Sequence, residues 1–231
     1  MNPYQTLMDE SWEANMELAK SGLVIHTFGN VSSLDADKGV FAIKPSGVPY
    51  CDLKSQQMVV VDLEANVVSG NLRPSSDTKT HAVLYREFNG LGGICHTHST
   101  YATAWAQAIH PIPPLGTTHA DHVYGNIPCT KIMSDEAIKG DYETETAYQI
   151  LNAFKKLSPL EVEMVLVACH GPFTWGKTAQ KSVDNAVVLE ELARMAFLTV
   201  NICPDVGPLK KALLDKHYLR KHGKNKYYGQ E

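Results

Sequence analysis

Apolar residues across positions 4–21 fall at Leu7, Met8, Trp12, Met16 and Ala19, close to the 3.6-residue period of a helix, and Gly22 ends the pattern. Short extended pieces are expected at 23–27, 40–43 and 58–63. The last folds back through Val67 and Val68 across a Glu64-Ala65-Asn66 turn, as an antiparallel hairpin. Ser75, Ser76 and Asp77 are residue types that cap helix N-termini, so a helix is predicted from there through Phe88, closed by Gly90, Gly92 and Gly93. Residues 94–98 read as a buried strand, 99–108 as a helix and 110–128 as a proline-rich crossing. A mostly helical stretch over 134–157 leads to a continuous apolar strand, 162–169, closed by His170-Gly171-Pro172. The longest helical pattern, 179–200, is apolar on most sides and therefore expected to be buried; a last short helix is predicted at 209–221. Strands and helices alternate without repeats or low-complexity linkers. The expected fold is α/β: one three-layer α/β/α domain over 1–231, with helices on both faces of a mixed, largely antiparallel sheet.

Composition narrows the class. The 231 residues are 44% hydrophobic and 20% charged, with a mean hydropathy of -0.20, which excludes a disordered or fibrous chain. No apolar run approaches the ~20 residues of a membrane span. The acidic, amphipathic N-terminus does not read as a signal peptide, so a cytoplasmic protein without a membrane partner is expected. Five cysteines (Cys51, Cys95, Cys129, Cys169 and Cys203) are far apart and form no C-x-x-C pair. Neither a disulfide framework nor a thiolate zinc site is indicated, and each is expected to be a small buried apolar group. Charge is uneven: residues 207–231 carry seven basic and two acidic side chains, while the remainder carries 14 basic and 23 acidic. A +5 tail on a -9 body points to an anionic ligand or to docking on an acidic surface. Without a basic stripe elsewhere, nucleic acid is not the expected partner.

The strongest local chemical signal is His96-Thr97-His98. On a strand, alternate residues share a face, so both imidazoles would project together and supply half of a metal site; two unrelated histidines would look the same in sequence. His170 closes an apolar strand where a sheet edge opens into a loop, a common place for active sites in layered folds. Asp77 could add a carboxylate, or be an ordinary N-cap. Three imidazoles and a carboxylate suit Zn²⁺ or another first-row divalent ion. Three small polar turns, Gly29-Asn30, Lys44-Pro45-Ser46-Gly47 and Ser75-Ser76, offer the backbone N–H groups and side-chain donors that hold a phosphate, although each is also plain turn chemistry.

The order of these pieces carries a resemblance. TFGNVS, IKPSGV, RPSSDT, GGICHTHSTYATAWAQ, GTTHAD, IPCT, HGPFTWG, NAVVLEE and the terminal DKHYLRKHGKNKYYGQ run from about Glu13 to Gln230. In this the chain resembles the L-ribulose-5-phosphate 4-epimerases of the class II aldolase/adducin superfamily. The resemblance implies one divalent ion per subunit, of the zinc type, and a homotetramer with active sites between neighbouring subunits. It implies Asp77, His96, His98 and His170 as metal ligands, and Gly29, Asn30, Lys44, Ser46, Gly47, Ser75 and Ser76 as the residues holding a phosphorylated ketopentose. Asp121 and Tyr228 fall on the proton-transfer pair, and His217 and Arg220 on tail residues that reach a neighbour's site. His122 departs from the family, standing where many members have Tyr, and so does Cys169, where others have a polar residue. Arabinose breakdown and ascorbate breakdown both employ such an enzyme.

The implied reaction is coherent. Inverting a carbon not adjacent to a carbonyl cannot proceed by simple deprotonation, because the carbanion would have no electron sink. Retro-aldol cleavage of C3–C4 creates an enediolate that a Lewis acid stabilises, and re-addition to the turned aldehyde inverts C4. A proton-transfer group is needed on each face. A class II sugar-phosphate aldolase is the neighbouring alternative, and a non-catalytic adducin-like assembly domain a more distant one, since such domains lack the metal histidines.

Overall fold

The computed structural model describes residues 2–223. In chain order its main elements are α1 (Gln5–Lys20), β1 (Asn30–Asp35), β2 (Val40–Ile43), β3 (Val59–Asp62), β4 (Val67–Ser69), α2 (Thr78–Glu87), β5 (Gly93–His96), α3 (Thr100–Gln107), α4 (Thr117–Ala120), α5 (Asp135–Lys139), α6 (Tyr142–Ala153), β6 (Met164–Val167), β7 (Gly171–Gly176), α7 (Ala179–Ile202) and α8 (Lys211–His222). The strands form one sheet in the order β4-β3-β2-β1-β5-β7-β6. Every ladder between neighbouring strands is antiparallel, and among the described residues parallel pairing is confined to a bridge between Cys129 and Leu166. This is the layered α/β fold with a largely antiparallel sheet expected from the pattern.

Both faces of the sheet are covered, which is why β3 and β6 read as unbroken apolar runs. Along β2, Val40 and Ala42 point one way and Phe41 and Ile43 the other. The first face packs against Leu7 and Met8 of α1, with Ala179, Val183 and Ala186 of α7 meeting Val31 and Cys95. The second face packs Phe41, Ile43, Val59 and Val61 with Val83 and Leu84 of α2, Ile150 of α6 and Trp175.

Several local expectations need correction. Residues 23–27 form no strand; His26 turns there with φ +53°. The strand is β1, hidden in the sequence by its polar letters Asn-Val-Ser-Ser, yet buried. β7 was also unexpected, because Pro172 and two flanking glycines disguise a fully buried strand. β5 ends at His96 rather than His98, and β6 spans only four residues. α7 emerges from the core at its end, leaving Phe197 and Leu198 half-exposed and Ile202 85% exposed. Of the five cysteines only Cys95 is buried; all five are free thiols. Among the described residues no helix is long and apolar enough to cross a membrane.

The topology matters most at one end of three neighbouring strands. β1 begins at Asn30, β5 ends at His96 and β7 begins at Gly171, and the register sets Asn30 opposite His96 and His96 opposite Phe173. Close approach there requires glycine. A Cβ on Gly171 would lie 2.7 Å from the Thr97 carbonyl oxygen, and Gly29, at φ +83°, would put one 3.0 Å from the His96 oxygen.

Candidate metal centre and anion pocket

His96, 1% exposed, donates from Nδ1 to the Pro172 carbonyl at 2.9 Å. A carbonyl only accepts, so Nδ1 carries a proton, and a metal would be met by Nε2. That Nε2 lies 3.1 Å from Nε2 of His98. His170, in the turn between β6 and β7, places its ring centre 4.7 Å from that of His96 and 5.2 Å from that of His98. One nitrogen from each ring can be chosen so that all three lie within 4.8 Å of one another. Because β5 stops at His96, His98 reaches the group from the following loop and not by strand alternation. Burial, then the neighbouring His96, pushes His170 down to about 3, and burial lowers His98 as well. Both shifts favour the neutral ring, the form that binds a metal.

Asp77 immediately precedes α2, yet its carboxylate makes no cap bond to the helix. Instead Oδ2 accepts a 2.7 Å hydrogen bond from Asn30 Nδ2, and the carboxylate borders the same cavity as the three imidazoles. Burial opposes its ionisation; the imidazoles of His96, His81 and His170 and the Asn30 amide outweigh that and hold it below the usual carboxylate range. The three clustered imidazoles, with the Asp77 carboxylate on the same cavity, form a nitrogen and oxygen donor set that fits a first-row divalent ion.

The cavity, about 290 Å³, is bordered by Gly29, Asn30, Lys44, Ser46, Gly47, Ser75, Ser76, Asp77, His96, His98 and His170, all singled out from sequence. Two polar loops are zipped together beside it: Ser46 N–H donates to Arg73 O at 2.9 Å, and Ser75 N–H to Lys44 O at 3.0 Å. Lys44 is 2% exposed, with Nζ 4.8 Å from the centre of the Tyr50 ring and 3.4 Å from the carbonyls of Thr27 and Pro45. Among the described residues no carboxylate pairs with it, and burial pulls it down to about 8. A buried cation without an ion-pair partner, bordering a cavity, is suited to meeting an anion there. Phe28 also borders the cavity, exposed and 5.9 Å from His98. Nothing in its sequence surroundings beyond the adjacent Gly29-Asn30 signals this.

Asp121, just after α4, does not border this cavity. Its carboxylate accepts from Arg220 Nη2 at 2.7 Å and from His217 Nδ1 at 3.0 Å, with Lys221 Nζ at 3.7 Å. Burial works to raise its pKa, but the bonds from Arg220 and His217 and the charges of Lys221 and Arg220 bring it below the ordinary value. In the described part of the tail, basic helix and acidic body therefore meet within one chain. Tyr228 lies outside the described residues.

Residues 9–197 match the family described as Class II Aldolase and Adducin N-terminal domain. Over 227 residues, 98% of this chain and the whole of each relative, the chain is 51% identical to proteins named L-ribulose-5-phosphate 4-epimerase UlaF from Salmonella paratyphi A (strain ATCC 9150 / SARB42) and Salmonella typhi. Among solved structures it resembles an L-fuculose 1-phosphate aldolase, with a TM-score of 0.77 at 23% identity, covering 92% of this chain and 94% of that one. It also resembles YgbL of Klebsiella pneumoniae, titled a putative aldolase/epimerase/decarboxylase, with a TM-score of 0.70 at 26% identity, covering 92% and 97%. Sheet, histidine cluster and full-length similarity agree: the chain belongs to the class II aldolase and adducin N-terminal domain family.

Proposed function

We propose that the protein is a 4-epimerase interconverting L-ribulose 5-phosphate and D-xylulose 5-phosphate, working in the cytoplasm. The observation that carries this reading is one cavity bordered by a three-imidazole cluster, the Asp77 carboxylate and a buried lysine that has no ion-pair partner among the described residues. One end suits a metal-bound ketose and the other a phosphate. Similarity to the 4-epimerases along the whole chain supports the choice of substrate.

His96, His98, His170 and Asp77 would hold the divalent ion, Zn²⁺ by the nitrogen-rich donor set. When bound, that ion supplies Lewis-acid stabilisation of the negative charge that develops on the ketose oxygens as C3–C4 breaks. Lys44, with Ser46, Gly47, Ser75, Ser76 and Gly29, anchors the phosphate and keeps the two-carbon aldehyde in place while it turns its other face. Asn30 holds the Asp77 carboxylate at 2.7 Å, which keeps that side chain a ligand rather than a free base. Asp121 and Tyr228 serve as the proton-transfer pair on the two faces of C4. Asp121 does not border its own chain's cavity, so it acts on that of an adjoining subunit, in a homotetramer with shared active sites.

The test is incubation of the metal-loaded protein with L-ribulose 5-phosphate. D-Xylulose 5-phosphate should form without accumulation of free glycolaldehyde phosphate. Release of glycolaldehyde phosphate at a comparable rate, with no xylulose ester, would make the protein an aldolase. Subunits carrying His96→Asn, mixed with subunits carrying Tyr228→Phe, should regain activity in hybrid tetramers; no recovery despite subunit exchange would place both residues in one protomer's site.

A further inference from the structure

His81 is a fully buried histidine that the reading above leaves without a role. It sits on α2 one turn beyond Asp77, and it faces β1, where Ser32 lies two residues beyond Asn30 on the same side of the strand. One turn of helix rises about 5.4 Å and two strand residues about 6.6 Å, so the two spacings nearly match. The result is a pair of parallel polar rungs between helix and strand. Asn30 Nδ2 donates to Asp77 Oδ2 at 2.7 Å, and Ser32 Oγ meets His81 Nδ1 at 2.7 Å.

The second rung continues. Ser32 Oγ is 2.7 Å from the hydroxyl of Tyr85, one further turn along α2, and that hydroxyl donates to the Ser32 carbonyl at 3.2 Å. Serine and tyrosine hydroxyls both donate and accept, so the rung closes with either His81 tautomer. On its other side the His81 ring stands edge-on to Phe173, with centroids 6.0 Å apart, and Phe173 stacks on His96 at 4.2 Å. Pro172, next in the chain to Phe173, supplies the carbonyl that fixes His96 Nδ1. His81 thus touches the supports of two candidate ligands, one on α2 and one on β5.

Its burial is expensive. His81 Nε2 and Asn30 Oδ1 are both buried without a hydrogen-bond partner. A buried polar atom without a partner costs stability, and an apolar side chain at position 81 would avoid that cost at His81.

We propose that His81 is a positioning residue for the metal centre: with Ser32 and Tyr85 it fixes how α2 presents Asp77, and through Phe173 how β5 presents His96, to the divalent ion. This rests on the reading of His96, His98, His170 and Asp77 as the ligand set.

The test measures metal binding with no sugar phosphate present. Full-length protein is stripped with a chelator and reloaded with Co²⁺, and the dissociation constant and visible absorption spectrum are recorded for wild type, His81→Phe, Ser32→Ala and the double variant. Loss of a group that orients metal ligands typically weakens metal binding 10–100-fold. Each single variant should therefore bind Co²⁺ at least tenfold more weakly with an altered spectrum. The double variant should be no worse than the weaker single one, because both belong to one rung. His81→Asn, which keeps a polar group near the Nδ1 position, should recover most of the affinity. Unchanged Co²⁺ affinity with only a lowered Tm of the metal-free protein would make His81 a purely structural residue and overturn the proposal, as would additive losses in the double variant. If His81→Phe does not fold, Ser32→Ala alone decides, by the same tenfold threshold. Failure of the wild type to bind Co²⁺ at all would instead overturn the metal reading itself.

Discussion

Replacing Lys44 with methionine separates what this side chain does for the fold from what it does for a ligand. Lys44 is 2% exposed, borders the cavity with no ion-pair partner among the described residues, and is pulled by burial from 10.5 down to about 8. At 1.36 kcal/mol per pH unit, that difference bounds the cost of keeping it charged in the fold at about 3 kcal/mol. The folded value lies below the unfolded one, so the cost is complete below about pH 8 and fades as pH rises towards 10.5. Methionine fills similar space without a charge, so Lys44→Met should stabilise the ligand-free protein by about 1–3 kcal/mol at pH 7. That corresponds to about 2–4 °C in Tm for each kcal/mol in a chain of this size. The same variant loses a charge-assisted bond to the phosphate worth about 1.5–3 kcal/mol, so kcat/KM for L-ribulose 5-phosphate should fall roughly 10- to 150-fold. Thermal unfolding at pH 7 and pH 10, with steady-state kinetics at pH 7, measures both effects. A variant less stable than wild type at pH 7, or a stability gain that grows with pH, would show that Lys44 is held by contacts of the fold and not for an anion.

Other predictions follow from single features. Gly171→Ala should cost about 1–3 kcal/mol of stability and weaken metal binding, since its Cβ would meet the Thr97 oxygen at 2.7 Å between two histidine-bearing strand ends; unchanged metal affinity would refute it. His81 and His170, pushed down to about 3, and His119, pushed down to about 4, are all held neutral by burial. Below pH 6.5 the unfolded chain takes up protons that the fold refuses, so stability of the metal-free protein should drop between pH 6.5 and 5, by up to about 1.4 kcal/mol per pH unit for each; a flat Tm over that range would refute this. Cys169 occupies the left-handed region at φ +60°, so Cys169→Gly should raise stability by about 0.5–1 kcal/mol in urea unfolding. Asp121→Asn should loosen α8 from the body, read as faster tryptic cleavage at Lys211 and Lys216 than in wild type.

Most helices were legible because each pairs a 3.6-residue apolar period with a stop signal. α1 ends beside Gly22, and α7 begins after Thr178, whose hydroxyl accepts from Lys181 N–H. The two missed strands, β1 and β7, flank β5 and its His96 at the site. β1 buries Asn30 and Ser32, which meet Asp77 and His81, and the β7 residue Pro172 presents its carbonyl to His96. Residues chosen for chemistry break the apolar alternation by which strands are recognised.

Residue types, their order and their spacing determined the family, the candidate histidine and aspartate donors, and the polar turns around Lys44, because metal and phosphate chemistry restricts which side chains can serve. Tertiary structure decided what spacing cannot carry. The antiparallel register of β1, β5 and β7 brings residues 30, 96 and 173 together across long chain separations, and Asp77 turns from its helix to Asn30. It also set Asp121 within an ion cluster on its own chain, a pairing made only when α8 folds back across about a hundred residues. Such long-range contacts depend on how the layers pack, and no local pattern encodes them.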